Sequence, residues 1–192
     1  LGEVISKAGV RQLRIAETQK FRHVTSFFNG KSTKPYDGED QVNIPSRFDP
    51  ATFASHPEMD AYTVTEDLLK RLENNEYGFI AVNFANCDMV GHTGDFDAAR
   101  KAVEIVDECV GKVVKRLLEL DAKILITADH GNADVLIKED GSIWSAHTSN
   151  PVPFCVTRED VVLHQTGTLG DITPTMLELL GVNTNKNDWN HI

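Results

Sequence analysis

The residues of this chain that could do chemistry are two aspartates and three histidines between residues 88 and 147: Asp88, His92, Asp129, His130 and His147. Carboxylate and imidazole ligands together suit Mn²⁺ or Zn²⁺ better than Ca²⁺ or Mg²⁺, which prefer oxygen alone. These donors are also more than one catalytic metal ion usually takes from a protein. The residue types therefore predict two metal ions in one crevice, the arrangement that holds both the attacking and the leaving oxygen in phosphoryl displacement.

Predicted strands precede two of these groups and follow the third. Residues 79–84 and 123–127 are apolar, rich in β-branched residues and too short for helices, which predicts buried strands. The first Asp/His pair follows residues 79–84, the second follows residues 123–127, and His147 lies in a loop before a predicted strand at 152–156. Because parallel strands place their carboxyl-end loops along one edge of a sheet, the three groups can converge on one spot.

The remaining pattern predicts an α/β domain. A long amphipathic helix follows the first pair, with Asp95 and Asp97 as candidate N-caps, and it predicts a right-handed βαβ unit between residues 79 and 127. Other predicted elements are helices at residues 1–8, from Asp60 onward and at 172–180, and strands at 12–16, 23–28 and 42–44. This alternation favours a mostly parallel sheet covered by helices on both faces.

Composition limits the class of partner. The chain has 192 residues, which suits a single domain, and 19 Lys+Arg against 29 Asp+Glu give a formal net charge of −10. This charge argues against a nucleic-acid or anionic-membrane partner and favours a small ligand. If that ligand is an anion, bound metal ions are the local charges that could attract it.

The three cysteines predict a cytoplasmic protein. Cys87, Cys109 and Cys155 are odd in number and have no paired spacing, so we interpret them as reduced packing thiols. Cys87 adjoins Asp88 and could be a ligand or a nucleophile, but no basic residue flanks it to lower its pKa, which favours packing.

Simpler interpretations of the donors stand beside the metal hypothesis. Taken alone, Asp129 and His130 are more typical of a turn cap with a hydrogen-bonded imidazole, and His147 could be a plain surface residue. A covalent phosphoryl intermediate also needs an activated hydroxyl, and no serine of the sequence occupies a predicted strand-to-helix elbow. The nucleophile is therefore expected to lie elsewhere.

Several segments resemble the cofactor-independent (2,3-bisphosphoglycerate-independent) phosphoglycerate mutases, a family of the alkaline phosphatase superfamily. They are NFANCDMVGHTG at 83–94, TADHGNAD at 127–134, AHTSNPVPF at 146–154, RIAETQK at 14–20 and FFNG at 27–30. The similarity extends from near residue 1 to about Val182. Gln19 and Lys31 differ from the family pattern, which has an acid and a second glycine at these positions.

The resemblance implies an alkaline-phosphatase-like, three-layer α/β fold and a glycolytic isomerase that interconverts 2- and 3-phosphoglycerate through a phosphoserine. It implies two Mn²⁺ ions, with Zn²⁺ or another divalent metal as alternatives. It implies that Asp88, His92 and His147 hold one ion, that Asp129 and His130 contribute to the other, and that Lys20 contacts the transferring phosphoryl group. Without the resemblance, a solvated lysine would be the better interpretation of Lys20.

The resemblance also implies that residues 1–192 form only the C-terminal part of a phosphatase domain. The family's nucleophilic serine and one further Asp ligand belong to an N-terminal segment, and a transferase domain binds substrate; neither is in this chain, which we expect to be inactive alone. The alternatives are another phosphomutase or phosphatase of the superfamily, or a non-catalytic metal-binding module.

Overall fold

A parallel three-stranded sheet forms the centre of the computed structural model, which describes residues 1–74 and 76–182. Its strands are β1 (Gln12–Glu17), β2 (Glu39–Ile44) and β3 (Phe79–Asn83), in the order β2-β1-β3. Ile15 of β1 lies opposite Val42 on one side and Val82 on the other. Every residue of β1 is buried, so β1, rather than the apolar strand that precedes Asp88, is the central strand of this sheet.

Helices pack on both faces of the sheet, as the sequence predicts. They are α1 (Gly2–Lys7), α2 (Phe21–Val24), α3 (Ala61–Arg71), α4 (Asn86–Gly91), α5 (Phe96–Glu119) and α6 (Ile172–Leu180). On one face Ile15 belongs to a buried cluster with Leu68 of α3 and Val113 of α5. On the other face Phe79 packs with Leu177 of α6. The alternation of side chains along the strands places apolar residues in both layers.

Helix α5 confirms the strongest periodicity of the sequence. The Asp95 carboxylate accepts a hydrogen bond from the backbone N–H of Ala98 at 2.9 Å and so caps the helix. Ala102, Cys109 and Val113 are buried along one face. This packing fixes the helix that directly follows the first Asp/His pair.

The predicted βαβ unit is wrong in its pairing. β4 (Leu125–Thr127) pairs antiparallel with β5 (Phe154–Val156), and within the described residues it has no ladder with β3. Between them the chain doubles back through an antiparallel bridge between Gly131 and Thr148, so β5 reaches β4 in the opposite direction. Cys155 is exposed on this ladder, and its predicted packing role is wrong as well.

The strand predicted at residues 23–28 is also wrong, because α2 and turns occupy this segment. The Thr25 hydroxyl donates a hydrogen bond to the backbone carbonyl of Phe21 at 2.7 Å, a local bond that competes with strand pairing. Farther along, Lys31 has a φ of 70°, in the left-handed region. A glycine would adopt this conformation without steric cost.

Among the described residues, no helix combines the length and the apolar character needed to cross a membrane.

Candidate metal centre

Asp88 and His92 lie on one face of α4, which follows β3 after two intervening residues. The sequence predicts a turn here, but Asp88 stands in the first turn of a short helix and His92 is its C-cap. An aspartate in the first turn interacts favourably with the positive end of the helix dipole. Val90 is fully buried beneath them. A spacing of four residues on a helix then brings the carboxylate and the imidazole together.

His147 joins this pair from a distant loop. The Oδ1 atom of Asp88 lies 3.2 Å from Nε2 of His92 and 3.3 Å from Nε2 of His147. Each of the three residues offers a ligand atom, and these atoms all lie within 4.8 Å of one another. The structure thus brings together three of the five predicted donors, and we call Asp88, His92 and His147 the first cluster.

Hydrogen bonds orient the Asp88 carboxylate. Lys20 donates to Oδ2 and forms an ion pair with it, and the Asn132 amide donates to Oδ1 at 2.6 Å. Burial alone would raise the pKa of Asp88, but the hydrogen bonds from Lys20 and Asn132 and the positive charge of Lys20 outweigh it, so that the pKa lies below its ordinary value. Asp88 is therefore an ionised carboxylate with Oδ1 turned toward both imidazoles.

Lys20 is only 6% exposed, so the interpretation of Lys20 as a solvated lysine is wrong. The short 3₁₀ turn at Thr18–Lys20, directly after β1, directs its side chain to Asp88. An ammonium group this deeply buried needs a partner, and the carboxylate supplies one.

The His92 ring is oriented by a backbone carbonyl. Its Nδ1 atom lies 2.8 Å from the carbonyl oxygen of Ser145. Because a carbonyl only accepts, we assign a proton to Nδ1, and in the neutral ring the Nε2 lone pair then faces Oδ1 of Asp88. Two acceptors in this proximity are stabilised by a cation between them. The donor set therefore fits a divalent metal, with the hydrogen-bonded far nitrogen typical of metal-binding histidines.

The second pair, Asp129 and His130, lies beside the first cluster without joining it. The Asp129 side chain is 51% exposed, and its Oδ2 atom lies 3.6 Å from Nε2 of His130. The His130 ring stacks on that of His147, with centroids 3.6 Å apart and planes inclined by 12°. The second pair is thus adjacent to the first cluster through one ring contact.

Sequence reasoning missed two groups that shape the centre, namely Asn132 and the carbonyl of Ser145. Asn132 is 4% exposed and lies close to α4, where a Cβ at Gly91 would come within 2.5 Å of its Oδ1 atom. A search by ligand type omits amides and backbone carbonyls. The position of Asn132 in the TADHGNAD segment, two residues after His130, was the available signal.

The geometry and the fold together define the class of protein. The model of a family described as "Metalloenzyme superfamily" matches residues 1–184, and the chain therefore belongs to the metalloenzyme superfamily. Two curated relatives define the similarity more narrowly, and both are 2,3-bisphosphoglycerate-independent phosphoglycerate mutases. The chain is 54% identical over 184 residues to that of Clostridium botulinum (strain ATCC 19397 / Type A) and 52% identical over 184 residues to that of Syntrophotalea carbinolica. Each match covers 95% of this chain and 36% of the relative, so the chain spans about a third of the length of these relatives.

Solved structures agree with the sequence comparison. Leishmania mexicana phosphoglycerate mutase, crystallised at low cobalt concentration, matches with a TM-score of 0.83 and 30% identity over 95% of this chain and 37% of that chain. The PH0037 protein of Pyrococcus horikoshii matches with a TM-score of 0.59 at 17% identity, which supports the fold alone. The α/β fold class and the resemblance predicted from the motifs are both confirmed.

Proposed function

We propose that this chain is the C-terminal part of the phosphatase domain of a phosphoglycerate mutase that interconverts 2- and 3-phosphoglycerate through a phosphoserine. The observation that carries the proposal is the convergence of Asp88, His92 and His147, with Lys20 on the same carboxylate, in a chain 54% identical to such a mutase. The cytoplasmic location predicted from the cysteines belongs to the same proposal.

Each donor has a role in this proposal. Asp88, His92 and His147 hold one divalent ion, and Asp129 and His130 contribute to a second, both Mn²⁺ with Zn²⁺ as the alternative. When bound, the ions supply positive charge that neutralises the phosphoryl oxygens and activates the attacking hydroxyl. Lys20 orients Asp88 through its ion pair and, in this proposal, contacts the phosphoryl group.

The remaining machinery belongs, in this proposal, to the part of the relatives that this chain does not match. That part would supply the serine nucleophile, the other ligands of the second ion and the transferase domain that binds phosphoglycerate. The edge of β3 supports this assignment. Its residues are apolar except for Asn83, yet among the described residues β3 pairs with β1 on one side alone. Apolar strands of this kind are usually covered on both edges.

The test is reconstitution. This chain would be produced together with the part of the Clostridium botulinum relative that it does not match, and then assayed with Mn²⁺ for conversion of 3-phosphoglycerate to 2-phosphoglycerate and for release of inorganic phosphate. We expect isomerisation that depends on both parts and is lost in His147→Ala.

Other outcomes separate the alternatives. Phosphate release without isomerisation would identify a phosphatase of the same superfamily. Metal binding without either activity in the reconstituted protein would support a non-catalytic module and contradict the proposal.

A further inference from the structure

A carboxylate outside the five predicted donors connects the two loops of the metal centre. Asp134 lies shortly after His130 and accepts hydrogen bonds from the Thr148 hydroxyl at 2.9 and 3.1 Å and from the Asn150 amide at 2.6 Å. Both donors directly follow His147 in the same loop, Thr148 as the next residue and Asn150 two residues later. Asp134 therefore holds the loop that carries His147.

The backbone contact beneath Asp134 depends on a close approach of the two loops. The Thr148 N–H donates to the carbonyl of Gly131 at 2.8 Å. A Cβ at position 131 would lie 2.2 Å from the Thr148 hydroxyl and 2.7 Å from Asp134 Oδ1, so only glycine fits there without displacing them. The loops are thus in register directly next to His147.

The His147 side chain itself has little other support. It is 48% exposed, and its ring contacts are the stack on His130 and the tilted contact with His92, whose centroid is 5.1 Å away. An exposed loop histidine pays conformational entropy to hold one rotamer at a metal site. Fixing the adjacent Thr148 reduces that cost.

We propose that Asp134 is a positioning residue, whose carboxylate clamps the segment 148–150 against the 131–134 segment and so sets His147 Nε2 opposite Asp88 Oδ1. The inference rests on the proposed metal-binding role of His147. The hydrogen bond from Asn150, followed by that from Thr148, lowers the pKa of Asp134, in agreement with a carboxylate that accepts these bonds in its ionised form.

Titration of the chain with Mn²⁺ tests the clamp through four proteins: wild type, Asp134→Ala, His147→Ala and the double variant. Loss of an outer partner of a metal-binding histidine typically weakens affinity about 10- to 100-fold, and for this partly exposed clamp we expect about 10-fold. Because Asp134 acts through His147, its replacement should change the affinity less than about 2-fold once His147 is already alanine. Equal effects of Asp134→Ala in both backgrounds would overturn the clamp.

Two control sets separate positioning from general destabilisation. Asp140→Ala removes an exposed carboxylate that accepts two hydrogen bonds from Ser142 in the same connection between β4 and β5, and it should leave the affinity within about 2-fold of wild type. Thr148→Val removes the hydroxyl and should weaken binding, whereas Thr148→Ser retains it and should restore binding. Equal affinities for these two variants would contradict the clamp.

The same titration distinguishes the clamp from the proposed function. If His147→Ala binds Mn²⁺ as wild type does, the metal assignment fails and the clamp fails with it. If His147→Ala weakens binding and Asp134→Ala does not, the clamp alone is wrong.

Discussion

The first cluster and the second pair have the same residue types and differ in what packs around them. The Asp88 side chain is 14% exposed and is held by Lys20 and Asn132, whereas the Asp129 side chain is 51% exposed and has His130 as its ion-pair partner at 3.6 Å. Oriented, partly desolvated donors bind a metal at lower entropic cost than exposed ones. The difference shows that the types of ligand residues alone do not determine how tightly a site binds its metal ion. We therefore expect the first cluster to bind tightly and the second pair weakly.

The largest effect is expected for Asp88→Asn. The variant removes the only anionic donor of the first cluster and leaves the buried Lys20 ammonium without its ion pair. Mn²⁺ affinity should fall by more than about 100-fold, and the free energy of unfolding should fall by up to about 3 kcal/mol. Calorimetric titration and urea unfolding measure the two effects. Retained tight Mn²⁺ binding in Asp88→Asn would show that Asp88 is not the carboxylate that holds the tightly bound ion.

An intermediate effect is expected for Gly91→Ala, which tests the role of Asn132. The added Cβ would lie 2.5 Å from Asn132 Oδ1, so the amide that orients Asp88 must move. We expect Mn²⁺ affinity to fall by about 10-fold together with a lower melting temperature.

Gly111→Ala in α5 is the matched control, because among the described residues no atom beyond the surrounding helix backbone lies within 4 Å of the new Cβ. It should raise the free energy of unfolding by about 1 kcal/mol, since alanine favours a helix over glycine. It should leave Mn²⁺ affinity unchanged. Similar Mn²⁺ affinities for Gly91→Ala and Gly111→Ala would show that Asn132 does not contribute to metal binding.

The smallest effect is expected for Asp129→Asn. Because Asp129 is half exposed and lies outside the group formed by Asp88, His92 and His147, the affinity of the tight site should change by less than about 3-fold. Binding of a second, weaker equivalent of Mn²⁺ should be lost. Electron paramagnetic resonance of free Mn²⁺ counts both classes of site. Loss of the tight class in Asp129→Asn would show that the tight site depends on Asp129, contrary to the comparison of the first cluster with the second pair.

The sequence was sufficient for the elements with strong periodicity and for the ligand types. The apolar face of α5 and the run of β3 could be read from spacing, because helix and strand periods fix which side chains share a face. Residue types gave the five candidate donors, and the family resemblance grouped Asp88, His92 and His147 as one set. The family motifs were sufficient for Lys20, whose burial no local pattern indicates.

Tertiary contacts decided the rest. The segment 23–28 is β-branched and aromatic like a strand, yet the Thr25 hydroxyl bonds the Phe21 carbonyl and favours a turn of helix. β4 is apolar like a parallel strand, yet the return of the chain through Gly131 and Thr148 pairs it antiparallel with β5. In the centre, the carbonyl of Ser145 contacts His92, which is 53 residues away in sequence. The carboxylate of Asp134 accepts a hydrogen bond from Asn150, in the loop that carries His147. No local pattern specifies either contact.

The central claim is that Asp88, His92 and His147 form one tight metal site, and a Mn²⁺ titration of wild type and His147→Ala tests it most directly. His164→Ala, an exposed histidine far along the chain from the cluster, serves as the matched control. We predict a tight equivalent and a weaker one in wild type and in His164→Ala, and loss of the tight equivalent in His147→Ala. Unchanged stoichiometry and affinity in His147→Ala would contradict the account.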